Sequence, residues 1–269
     1  MNTKNIMLLT VFQIKTNKRQ IIGWTIGIFA IMFLYMILFP SVQDMAQIKM
    51  EAMPEELMQL MGMDDFSDMS NYMSYFAMIY NIILIAISIF AVVLGAGVIT
   101  REEKNKTIEF VYSLEVSRVE LYISKFLTAY IGVMIVIMGA ASSAIICGVI
   151  NGGETFILMD MIQMVKGSAV TPFVYLGVGT MLAGITSKVS GASVGSMVVI
   201  LSYVLGFLST MVSDSLSWFK YLSPFEVLSP DTVVELTGEV MITMCGYCVV
   251  MIVFVVIGGI IYNKRDFQI

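Results

Sequence analysis

The chain has 269 residues, of which 58% are hydrophobic and 13% charged, with a mean hydropathy of +0.88 and a formal net charge of −5. A soluble globular domain carries about 25% charged residues, so the composition excludes one. It describes an all-α polytopic membrane protein. No Pro/Gly/Ser-rich linker or soluble block interrupts the apolar runs, and residues 1–269 are expected to form one membrane domain.

Residues 5–18 place Met7, Leu8, Val11 and Ile14 on one side of a helix and Thr10, Gln13 and Asn17 on another. With Lys15, Lys18 and Arg19 at its end, this pattern predicts a helix lying in the membrane interface. Residues 21–39 follow without a charge, which is long enough to span a bilayer as a helix. A basic flank before an apolar run also fits a signal peptide. This run is long and has no small-x-small site after it, so it is taken as an uncleaved first span.

Residues 40–72 form an outer loop with seven acids against one base. The loop holds Met45, Met50, Met53, Met58, Met61, Met63 and Met69, and thioethers are soft ligands for Cu(I). No His or Cys joins them, so the simpler expectation is short amphipathic helices with Met on the apolar side. The second span is predicted over 75–100.

The stretch 101–125 then carries 5 of the 15 basic and 5 of the 20 acidic residues between two uncharged runs. Thr107 is placed to cap a short helix to Leu114, whose apolar residues Ile108, Val111 and Tyr112 fall on one side. Residues 113–116 turn the chain. Ser117 and Glu120 form the S-x-x-E capping box, so a new helix is expected from about Arg118. The pattern Arg101-Glu102-Glu103, Thr107, Glu109, Ser113, Ser117-Arg118 and Lys125 resembles the segment after the second span in type-2 permeases of ATP-binding-cassette (ABC) transporters. One departure is Val116, where that family often has proline. The resemblance implies an exporter-type permease in which this segment is a coupling helix docked on a separate ATPase subunit. The coupling residues would be Glu102, Glu103, Thr107, Ile108, Val111, Tyr112 and Arg118, with the charged three orienting the helix.

Further spans are predicted over 126–150, 169–186, 192–212 and 240–262. The pairs Gly23/Gly27 and Gly191/Gly195, each at i and i+4, would allow close helix contact. Between the fifth and sixth spans, Ser223-Pro224-Phe225-Glu226 and Ser229-Pro230-Asp231 each read as a helix start, with Gly238 at a helix end. Two short outer helices are therefore expected, and Leu222-Ser223-Pro224-Phe225 resembles the outer element of the same permease family. Cys147, Cys245 and Cys248 lie in apolar runs and are read as small packing residues; no His accompanies the C-x-x-C spacing.

With both termini inside, the inner segments hold 12 basic residues and the outer ones only Lys49, Lys166 and Lys220. The positive-inside rule then orients six spans in the cell membrane with cytoplasmic termini. All charged residues fall outside the predicted spans and there is no His, which leaves little for proton or ion coupling. There is also no H-E-x-x-H, no carboxylate pair inside a span and no G-x-x-x-x-G-K-[ST] loop. The chain is thus expected not to be an enzyme and to need no cofactor or metal, its energy coming from another polypeptide.

The partners expected are an ABC ATPase subunit, a second permease copy (the same chain or a related one) and membrane lipid, with no nucleic acid. A membrane anchor or sensor that controls a partner ATPase without transport is the alternative. In the permease family the second and fifth spans line the central cavity, which points to Asn81, Ser88, Tyr203 and Phe207. Asn81 and Ser88 are seven apart and share a helix face, and Tyr203 and Phe207 flank the small stripe Gly195, Ser202 and Gly206. An uncharged pathway fits an apolar or amphiphilic cargo such as a peptide, lipid or drug.

Overall fold

A computed structural model of the chain describes residues 3–52, 70–107, 116–185, 191–211 and 220–265. Among them every regular element is helical. Six helical units are long and apolar enough to cross a membrane.

The first helix, α1 (Thr3–Ile37), is continuous, so the break expected between an interfacial helix and the first span is absent. At 35 residues it is about 52 Å long, well beyond the hydrocarbon thickness. Its polar stripe Thr10, Gln13 and Asn17 is buried against the protein, while Met7, Leu8 and Val11 are exposed. The sidedness seen in the sequence holds, with the polar face turned inward. After a turn at Leu38, α2 (Phe39–Ala52) begins with Pro40 in its first turn, where a missing N–H costs nothing.

The second span, α3 (Tyr72–Lys104), is the centre of the bundle and is buried over most of its length. Asn71 caps it, its side-chain oxygen accepting the Met73 N–H at 2.8 Å. The third, α4 (Arg118–Asn151), starts where the sequence places it. Ser117 Oγ accepts from Glu120 N and Glu120 Oε2 accepts from Ser117 N, both at 3.2 Å, so the capping box is complete.

The fourth unit is split into α5 (Leu158–Ser168) and α6 (Val170–Ile185). Pro172 explains the break: it has no N–H to give the Ser168 carbonyl. The fifth span is α7 (Gly191–Met211) and the sixth α9 (Gly238–Lys264), with α8 (Pro224–Val227) between them.

Three expectations fail in that connection. Ser223 makes no side-chain capping bond, and its Oγ is packed against Gly206, where an added Cβ would lie 2.5 Å away. Residues 230–235 form turns in place of a second helix. Pro230 disfavours the α region for Ser229 and stops α8 one turn after it begins. Gly238 opens α9 behind the Thr237 cap, and so does not end a helix.

Of the glycines expected at close contacts, Gly195 of α7 is used, abutting Val92 of α3, whereas the Gly23/Gly27 pair is not. Gly23 and Gly27 meet nothing within 4 Å inside the chain. Gly179 of α6 sits against the Val92 backbone of α3, and Gly184 sits against Gly258 of α9, where an added Cβ would approach carbonyl oxygens at 2.7 and 2.6 Å. α6 is thereby clamped between α3 and α9, while α1 packs along α4.

Of the cysteines only Cys147 is buried; Cys245 is exposed on α9 and Cys248 half-buried, so that pair does not pack the interior of this chain.

Candidate functional site

The segment between α3 and α4 leaves at Thr107 and returns at residue 116; residues 108–115, including Ile108, Val111 and Tyr112, lie outside the described residues. Its two anchors are held by a polar network at one end of the bundle. Lys125 of α4 is 1% exposed and pairs with the Glu102 carboxylate of α3. Its Nζ also donates to Ile99 O at 2.9 Å and lies 5.7 Å from the Tyr262 ring centre of α9. A buried ammonium needs a paired charge and filled hydrogen bonds, and this one has both.

The network continues on either side. Gln13 Nε2 of α1 reaches Glu102 Oε1 at 3.4 Å, and Arg101 Nη1 donates to Asn17 Oδ1 at 2.9 Å. Glu103 pairs with Arg265, which also donates to Ala183 O at 3.2 Å at the end of α6. Arg118 Nη1 donates to Asn263 O at 3.2 Å and Arg265 O at 3.0 Å. Thr107 turns back on α3, its N–H bonding Glu102 O at 2.9 Å and its hydroxyl the same carbonyl at 3.4 Å. Five of the six spans, α1, α3, α4, α6 and α9, therefore meet at the base of one segment.

Glu102, Glu103 and Arg118 are thus bonded to several spans, and their carboxylates and guanidinium hold those spans together. Gln13, Asn17 and Arg265 were not picked out from the sequence as members of this site. The signal was present in the i, i+4 spacing of Gln13 and Asn17, which reads equally well as the wet side of an interfacial helix.

The four residues expected to line a pathway are not brought together within one chain. Asn81 lines a pocket of about 600 Å³ at the opposite end of the bundle, and its Oδ1 is buried with no hydrogen-bond partner. Ser88, two turns along the same stripe, is fully buried in the core, because α3 is enclosed there by its neighbours. Tyr203 packs edge-on to Phe225 at 5.7 Å, and Phe207 is 50% exposed on α7.

The small stripe beside these aromatics is used for packing. Gly195 abuts Val92, Gly206 abuts Ser223, and Ser202 accepts the Tyr175 hydroxyl at 2.6 Å. No group of three or more Asp, Glu, Cys or His side chains suited to a metal occurs among the described residues. The Met-rich residues 53–69 lie outside them.

A family model described as the C-terminal domain of the multidrug efflux system permease Rv1217c matches residues 11–262. The match runs from α1 into the last turn of α9 and takes in the pocket and all of the polar network except Asn263 and Arg265. The chain belongs to this family. A comparison with curated proteins returns no match. As a member of an efflux permease family with six helical units long and apolar enough to cross a membrane, the chain is a multi-pass transport protein.

Proposed function

We propose that this efflux permease is the membrane subunit of an ABC exporter. Two copies, or this chain and a related one, form the pathway, and separate ATPase subunits drive it. Both termini are cytoplasmic, and residues 107–114 are the coupling helix received by the ATPase. The observation that carries this reading is the polar network. A push on the segment acts at once on Thr107 and Ser117, and through Glu102, Glu103 and Arg118 on the ends of five spans. A bonded base of this kind transmits displacement because packed helices move as bodies.

The chain has no phosphate-cradling loop of its own, so the energy comes from a partner. The cargo is of the drug type, amphiphilic and of modest size, and Asn81 lies on its path. The experiment is co-purification with a stand-alone ABC ATPase co-expressed from the same genome, followed by ATP hydrolysis in nanodiscs with and without candidate drugs. An exporter hydrolyses ATP faster with its cargo and moves it into inverted vesicles. Hydrolysis that depends on this chain but responds to no cargo, with no uptake, would identify a regulator of the ATPase instead.

A further inference from the structure

The pocket at the end of the bundle away from Lys125 has a built-in polarity. Met73, Ala77 and Asn81, with Ser74 and Met78 beside them, form one stripe of α3. Over these two turns the pocket wall runs about 12 Å along the helix. Met164 of α5 closes one side, and the turn carrying Asp231, Thr232, Val234 and Glu235 forms the mouth. Among the described residues no basic side chain lines it.

The mouth is held in place by its own packing. Val233 is fully buried against Gly167 of α5, the Gln163 amide donates to Val234 O, and Thr232 Oγ1 lies 3.0 Å from Ser229 Oγ. Two exposed carboxylates thus line the same pocket as the thioethers of Met73, Met78 and Met164 and the Asn81 side chain, whose oxygen has no hydrogen-bond partner.

We propose that this pocket binds an elongated organic cation. Its cationic nitrogen sits at Asp231 and Glu235, its apolar body lies on Met73, Met78 and Met164, and an N–H at its other end bonds the Asn81 amide once that side chain turns into the pocket. The volume is that of a drug-sized site. Thioethers are polarizable and adapt to differing shapes, which suits a body of variable structure. The carboxylates disfavour anions of the same size. A metal ion is a poorer occupant, since two carboxylates and one amide fall short of the six to eight oxygens Ca²⁺ takes.

That this cation is the cargo rests on the exporter reading; that it binds does not. The test therefore uses the purified full-length permease alone in nanodiscs, with rhodamine 6G, a cation bearing N–H groups, against fluorescein, an anion on the same ring system. Fluorescence anisotropy should show saturable rhodamine 6G binding and at least tenfold weaker fluorescein binding. D231N/E235Q, both on an exposed turn, should keep the unfolding midpoint of the wild type, weaken rhodamine 6G at least tenfold and remove its salt dependence. N81L should weaken it several-fold with the salt dependence kept. Equal binding of the two dyes, or unchanged rhodamine 6G affinity in D231N/E235Q, would overturn the proposal.

With the ATPase added, rhodamine 6G stimulation that survives D231N/E235Q would sink the site and leave the exporter standing. Binding at the site without any stimulation or transport would do the reverse.

Discussion

Lys125 is the residue whose environment departs furthest from its place in the sequence. It stands at the edge of an apolar run, where a lysine ordinarily extends its ammonium to water. Here it is enclosed, with Glu102, the Ile99 carbonyl and the Tyr262 ring around its charge. Removing one partner of such a pair leaves an uncompensated buried charge at a cost of about 3–5 kcal/mol, whereas replacing both by apolar groups is often near neutral. Glu102→Gln should therefore lower the midpoint of thermal unfolding in detergent by many degrees. The double variant E102L/K125M should recover most of that loss and yet fail to couple hydrolysis to transport. If the single and double variants were equally unstable, the pair would not be the unit that holds α3 to α4.

At the scale of elements, the two S-x-x-E sequences had different outcomes. Ser117 heads a 34-residue helix whose first N–H groups need acceptors, and its box forms. Ser223 heads a four-residue helix ended by Pro230, and its hydroxyl is taken up by packing against α7. The element proposed to carry coupling is the segment between α3 and α4. Its apolar residues Ile108, Val111 and Tyr112 are spaced for one face of a helix, the pattern of an amphipathic helix laid in a groove of a partner. Val111→Asp should release the ATPase subunit on size-exclusion chromatography, or leave it bound with hydrolysis no longer raised by cargo. Wild-type stimulation in that variant would remove the segment from the coupling path.

For the whole molecule, the orientation proposed rests on 12 basic residues on one side and 3 on the other. In a background with Cys147, Cys245 and Cys248 replaced, a cysteine at Leu236 should react with an impermeant maleimide in intact cells and one at Asn105 should not. Leu236 suits the outer position because it is exposed, whereas Ser229 is buried. Labelling of Asn105 from outside would invert the topology and place the polar network on the wrong side for an ATPase.

The six apolar runs, their approximate ends and the capped start of α4 followed from the sequence alone. Span length is dictated by bilayer thickness, and capping is a contact between neighbours in the chain. Asn81 could likewise be singled out, since an amide in an apolar run needs a reason. What only the tertiary structure decided was which surfaces meet. Gly179, Gly184 and Gly258 became contact points and Gly23 and Gly27 did not. Ser88 was drawn into the core while Asn81, on the same stripe, opens to a pocket. Gln13, Asn17, Glu102, Lys125 and Arg265, spread over more than 250 positions of sequence, converged on one network. In a membrane chain both lipid and core favour apolar side chains, so hydropathy marks where a helix crosses without saying which of its faces is inward. That choice depends on the shape and charge of neighbours distant in sequence.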